Sequence, residues 1–219
     1  MMNHFHGKTS ANAPAGSMQG YGHTYDLMTG LMSLGHEGGL RQATIELAHI
    51  TPGEKILEVG CGTGTLTLAA KKAGGAGSLV CGIDIAPDMV ETARSKALKA
   101  GAEIDFRVAR IQEIPFATGT FDLVLSSLML HHVPGDDAKR QGMQEVLRVL
   151  RPGGRLLIVD VAPPANHLLR GLATLLVGHG MMAHGVGEYR GLLESVGFAA
   201  VETGPTKSPF LGYLSGKKP

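Results

Sequence analysis

The chain has 219 residues, 43% of them hydrophobic and 18% charged, which is enough for one sizeable core. Twenty basic residues against nineteen acidic ones leave a formal charge of +1, which excludes the strongly basic footprint of a nucleic-acid binder or of a protein drawn to anionic membranes. Cys61 and Cys81 are too few for a disulfide framework, and no run of about eighteen apolar residues occurs, so a cytoplasmic protein with no transmembrane segment and a small-molecule partner is expected.

Residues 1–20, rich in Gly, Ser, Ala, Asn and His and without an apolar core of signal-peptide length, read as a flexible arm able to fold over a bound ligand. Residues 21–219 then read as a single domain. Leu27, Leu31, Leu34, Leu40, Ile45 and Leu47 give a helical pattern over 21–50, which Pro52-Gly53 ends. Ile56, Leu57 and Val59 make a short apolar strand, Gly60, Gly62 and Gly64 a turn where backbone can approach a ligand, and Leu66, Leu68 and Ala69 the opening of a helix. A second strand over 78–83 ends at Asp84, and a helix over 87–100 carries Pro87 in its first turn. Strands are predicted at 104–108 and at 121–127, the latter with a continuous apolar stretch as if covered on both faces. A helix over 141–150 is closed by Arg151-Pro152-Gly153-Gly154, and a fifth strand follows at 155–161. This alternation predicts a parallel sheet with right-handed crossovers.

Beyond Pro163-Pro164, apolar residues from Leu168 to Val177 recur at helical spacing and predict a helix near 164–183. A helix over 187–196 and strands at 198–203 and 210–215 complete the pattern, with no internal repeat and no metal-ligand cluster.

The run Lys55-Ile-Leu-Glu-Val-Gly-Cys-Gly-Thr-Gly-Thr65 resembles the first motif of class I S-adenosylmethionine-dependent methyltransferases. A dinucleotide dehydrogenase would place a third glycine where this chain has Thr65. The resemblance implies a Rossmann-like α/β fold: a seven-stranded, mostly parallel sheet with helices on both faces and an antiparallel strand from a C-terminal hairpin. It implies S-adenosylmethionine as cofactor and places Glu58 near the methionine amino group, with Gly60, Cys61, Gly62 and Gly64 forming the cradle. Cys61 reads as a small filler of the turn rather than a nucleophile. Asp84, twenty residues after Gly64, is expected to accept from both ribose hydroxyls, with Ile85 and Met89 against adenine.

The segment from Arg107 to Asp122 is similar to the adenine loop and fourth strand of the UbiE-like group, with one departure. Arg110 stands where that group carries an aspartate, and a guanidinium accepts no hydrogen bond, so backbone groups of Arg110 and Ile111 are expected to hold the base. Ser126 is expected beside the methionine moiety through its backbone. His131 and His132 are the titratable pair able to take a proton near neutral pH. Tyr21, His23, Tyr25, His179 and His184 are candidates for the acceptor pocket, and the helix near 164–183 for its cap. The resemblance thus implies methyl transfer to a small apolar or aromatic acceptor and allows a homodimer. Quinone, lipid, thiol and secondary-metabolite acceptors stay open, as do a non-catalytic S-adenosylmethionine-binding regulator and, less favoured, a nicotinamide dehydrogenase.

Overall fold

The computed structural model describes residues 37–164 and 185–219. The N-terminal arm, the helix near 164–183 and the acceptor-pocket candidates Tyr21, His23, Tyr25, His179 and His184 lie outside the described residues. In chain order the elements are α1 (Glu37–Ala48), β1 (Lys55–Val59), α2 (Thr65–Gly74), β2 (Leu79–Asp84), α3 (Pro87–Lys99), β3 (Asp105–Val108), β4 (Phe121–Ser127), a 3-10 turn (Leu130–His132), α4 (Asp136–Val149), β5 (Leu150–Val161), a second 3-10 turn (Val186–Tyr189), α5 (Arg190–Val196), β6 (Ala199–Pro205) and β7 (Leu211–Lys217). They form one seven-stranded sheet in the order β3-β2-β1-β4-β5-β7-β6. The pairings from β3 to β5 are parallel. The last two are antiparallel, as the resemblance implied: β7 returns between β5 and β6.

The continuous apolar runs are explained by burial on both faces of the sheet. Successive strand residues point to opposite sides, so Leu57, Val59, Ile83, Val124, Leu156 and Ile158 enter one core, while Ile56, Val80, Leu123, Leu125, Leu157 and Val159 enter the other. Each fully buried side chain of this size contributes about 1.5–3 kcal/mol relative to exposure. The crossover direction changes between β1 and β4, and the crevice outside the carboxyl ends of these strands is the usual ligand position in such a sheet.

Several boundaries differ from the sequence reading; the helix expected over 187–196, for one, is a 3-10 turn at Val186–Tyr189 followed by α5. Helix α4 begins at Asp136 rather than near 141; its polar first turn shows no apolar period, and the carboxylates of Asp136 and Asp137 instead favour the positive end of the helix dipole. Arg151-Pro152-Gly153-Gly154 is not a separate closing turn but part of β5. Leu150 pairs with Phe121 ahead of a register shift, and Gly153 N–H donates to Lys218 O at 2.9 Å while Lys218 N–H donates to Gly154 O at 2.8 Å, so the ladder continues past the proline. From β5, Arg155 donates to Ala48 O at 2.8 and 3.1 Å and to Glu54 at 2.6 and 2.9 Å, fastening the carboxyl end of α1 to the sheet.

Candidate active site

The glycine turn after β1 puts three positive φ values in five residues, Gly60 at 73°, Gly62 at 49° and Gly64 at 76°, and each glycine meets different surroundings. A Cβ on Gly60 would lie 2.2 Å from Cγ of Met129, whose side chain occupies that space. A Cβ on Gly62 would meet nothing within 4 Å and would project into open space. A Cβ on Gly64 would lie 2.8 Å from Ala93 Cβ and 2.9 Å from the Phe106 ring, so this glycine permits close packing of the turn on α3 and β3 and does not line the cavity. Gly60 and Cys61 donate their N–H groups to Ile83 O at 2.8 and 3.0 Å, tying the turn to β2. Lys96 of α3 donates to the hydroxyls of Thr63 at 2.7 Å and Thr65 at 3.2 Å, so Thr65 helps to anchor the turn.

Around this turn opens a cavity of about 310 Å³. Glu58 and Asp84 line it, with Gly60, Cys61, Gly62, Ile85, Met89, Arg110 and Ile111. Asp84 Oδ2 accepts from Gly62 N–H at 2.8 Å and Oδ1 from Ala86 N–H at 3.0 Å, which fixes the carboxylate while leaving each oxygen further acceptor capacity. Ile85 beside it is 63% exposed, an apolar side chain left open at a strand end. Met89 and Ile111 are buried at the back wall, and Ile111 also packs against Gly142 of α4.

Glu58 is 3% exposed and accepts from the Thr67 hydroxyl. Burial pushes its carboxyl up to about 8, and the Asp84 charge adds to this, while Thr67 and Arg41 act in the opposite direction. Arg41 of α1 also lines the cavity, a cationic wall that the sequence reading did not select. Burial drives the Cys61 thiol far above its ordinary range, with the Glu58 and Asp84 charges adding to the effect, and the Cys81 thiol up to about 12. Neither sulfur is a nucleophile at neutral pH.

At the end of β4 the backbone takes an uncommon turn. Leu128 has φ 51° and donates its N–H to Val159 O at 2.9 Å, and Met129 follows it over Gly60. A bulky residue held in this region costs on the order of 1–3 kcal/mol and persists only where its surroundings enforce it. Ser127 lines the cavity; the side chain of Ser126, whose backbone was expected there, does not, and its buried hydroxyl has no hydrogen-bond partner among the described residues. The two serines point to opposite sides because side chains alternate along a strand. His132 lines the cavity, whereas His131 turns to β5, its Nδ1 2.6 Å from Oδ1 of the buried Asp160. The rings of the two histidines lie 3.9 Å apart at 43°. Burial, followed by the neighbouring His131, lowers the imidazole of His132 below its ordinary value.

A cavity lined by the carboxylates of Glu58 and Asp84, by Arg41 and by apolar side chains suits a ligand that carries a cationic group, hydroxyls and a flat apolar part, and this set fits S-adenosylmethionine. A family profile described as a methyltransferase domain matches residues 56–154. A ubiquinone/menaquinone biosynthesis C-methyltransferase of Hahella chejuensis is 32% identical over 180 residues, covering 78% of this chain and 71% of that protein. The chain belongs to the S-adenosylmethionine-dependent methyltransferases, in their UbiE-like group. A protein of the same description from Teredinibacter turnerae is 35% identical over 162 residues, 73% of this chain; the chain spans 64% of that relative's length. Among solved structures, a SAM-dependent methyltransferase from Aquifex aeolicus shares the fold at a TM-score of 0.67 and 18% identity, covering 87% of this chain and 98% of that one. Methyltransferase membership accounts for the G-x-G-x-G spacing and the reversed hairpin together, which a dehydrogenase assignment does not.

Proposed function

We propose that the protein transfers a methyl group from S-adenosylmethionine to a small apolar or aromatic acceptor, releasing S-adenosylhomocysteine. The observation that carries this reading is that two carboxylates from neighbouring strands line one cavity, Glu58 near the end of β1 and Asp84 at the end of β2. In this reading Glu58 holds the methionine ammonium and Arg41 its carboxylate. Asp84 holds the ribose hydroxyls, Ile85 and Met89 pack on adenine, and backbone groups of Arg110 and Ile111 receive its edge. Gly62 keeps the turn clear of the ligand, and Ser127 faces the methionine arm. Bound S-adenosylmethionine supplies an already activated methyl group, so the residues act chiefly by alignment, holding the acceptor at near-attack distance and keeping water out.

The two relatives bear the name of a C-methyltransferase of quinone biosynthesis, which supports a quinone-type acceptor. Two buried free thiols, Cys61 and Cys81, support work in the reducing cytoplasm. Among the described residues no helix is long and apolar enough to cross a membrane.

Calorimetric titration with S-adenosylmethionine, S-adenosylhomocysteine and NAD tests the reading. Binding of the first two and not of NAD is the expected result; NAD binding alone, or no binding at all, overturns it.

A further inference from the structure

The cavity wall that follows β3 is tied down on both sides. Val108 pairs with Asp84 in the sheet, and Ala109 N–H donates to Asp84 O at 2.9 Å, so the residues beyond β3 start beside the residue whose carboxylate ends β2. Ile111 is buried and packs on Gly142 of α4, and Glu113 N–H donates to Arg110 O at 3.0 Å to close the turn. Further on, Ile114 N–H donates to Glu145 at 3.0 Å, while Arg148 donates to Ile114 O at 2.9 Å and to Phe116 O at 2.8 Å. These contacts use the backbone of the loop and its apolar side chains. Arg110 and Gln112, the two polar side chains of this turn that line the cavity, take no part in them.

Arg110 is exposed and Gln112 half-buried, and among the described residues neither side chain has a hydrogen bond or an ion pair. Among those residues the carboxylates that line the cavity are Glu58 and Asp84, both on strands, so this loop brings no charged acceptor to it. A guanidinium offers five N–H donors in a fixed fork and no acceptor, whereas a primary amide can turn either end toward a partner. The edge of a purine lying beyond Asp84 therefore meets one fixed donor and one adjustable group. The fork matches O6 and N7 of a 6-oxopurine in two parallel hydrogen bonds, while a 6-aminopurine gives it only N7. The amide of Gln112 serves N1 in both cases, donating to the bare N1 of the amino form and accepting from the N1–H of the oxo form.

We infer that Arg110 and Gln112 read the purine edge of the methyl donor, and that the site takes the 6-oxopurine (inosine) form of S-adenosylmethionine and S-adenosylhomocysteine as readily as the adenine form. This rests on the donor-binding reading above and extends its backbone contacts to two side chains. Strict selection of adenine needs an acceptor fixed opposite the 6-amino group, so that the wrong form leaves a buried polar group unpaired. On this wall the group fixed by its charge is a donor. Beside an exposed side chain the amino group of the adenine form keeps its water, so that form still binds, and the oxo form gains a charge-assisted hydrogen bond in exchange for that water. Ile85, Met89 and Ile111 are apolar and serve both forms equally.

The test is calorimetry with S-adenosylhomocysteine and with S-inosylhomocysteine, its product of deamination at C6, on the wild type, Arg110→Asp and Gln112→Ala, with no methyl acceptor present. For the wild type, the dissociation constant of the inosine form should be no more than about three times that of the adenine form. Arg110→Asp puts an acceptor where the donor was and should leave the adenine form at least roughly tenfold tighter than the inosine form. Gln112→Ala should weaken both forms by a similar factor. Arg110 is exposed and outside the contacts that hold the loop, so its replacement leaves the fold intact. A wild type that favours the adenine form by more than about threefold overturns the inference. So does a preference that Arg110→Asp leaves unchanged, or a loss confined to one form in Gln112→Ala. If the wild type binds neither ligand, the donor-binding reading itself fails, a result distinct from a preference for adenine.

Discussion

At the β1–β2 end of the crevice, Glu58, Gly60, Cys61, Gly62, Thr63 and Thr65 all come from one eight-residue run, and Asp84 joins them through a backbone-to-carboxylate bond from Gly62. At the β4–β5 end the central contact joins residues 29 positions apart, and the turn that carries it contains a strained Leu128. The first end is a cradle of backbone specified by glycines, and the second is an arrangement of side chains specified by packing. The difference shows why a glycine cradle is readable as a short motif, while contacts between side chains far apart in sequence are not.

Substitutions that separate the two ends are the most direct way to test this contrast. The largest effect is expected from Gly64→Ala, which combines φ 76° with contacts of 2.8 and 2.9 Å to Ala93 and Phe106. A stability loss of about 2–4 kcal/mol in denaturant unfolding is expected. A loss below about 0.5 kcal/mol would mean that α3 yields readily and that the turn is less tightly specified than its geometry indicates. Next comes Asp84→Ala, expected to weaken S-adenosylmethionine binding by about 1.5–3 kcal/mol through lost charged hydrogen bonds. Unchanged affinity in calorimetry would remove Asp84 from the ligand's contacts.

Asp160→Ala addresses the other end. It leaves the N–H groups of His131 and Val161 without their acceptor and should cost about 1–3 kcal/mol of stability, yet donor affinity should stay within about threefold. A large loss of donor affinity would show that the two ends are coupled, with Met129 over Gly60 as the physical link.

The smallest effect is a pH dependence from Glu58, whose carboxyl is raised by burial from 4.5 to about 8. Because the folded value lies above the unfolded one, its stabilising contribution is full below about 4.5 and is lost as pH rises through about 8. The free protein should therefore melt at lower temperature as pH is raised across that window, and Glu58→Gln should flatten the trend. Donor affinity should move the opposite way, strengthening with pH, since an ammonium ligand favours the ionised carboxylate. A melting temperature independent of pH in both proteins would indicate that Glu58 is better solvated than its position implies.

Much of the fold was legible in the sequence. Strands β1, β2 and β4 were marked by short apolar runs, α3 by Pro87 and its period, and the reversed hairpin by two late apolar segments. The start of α4 was not, because a polar first turn carries no hydrophobic period, and the continuation of β5 through Pro152 was not, because proline and paired glycines ordinarily read as a turn. In the site, Glu58 and Asp84 stood out because strand-end carboxylates flank the glycines. Arg41, Thr63, Lys96 and Ser127 carried no comparable mark: a lysine on a helix or a serine beside another serine is ordinary until its neighbours in space are known.

The sequence by itself determined the sheet, its closing hairpin and the glycine cradle, because alternating burial and positive φ are properties of short stretches of chain. Only the tertiary structure distributed the work among Gly60, Gly62 and Gly64, turned Ser126 away from the cavity, and set His131 on Asp160 with His132 toward the cavity. Those outcomes depend on which side of a strand a residue faces and on which distant segment packs against it, and both are fixed by the assembled core rather than by any local run of residues.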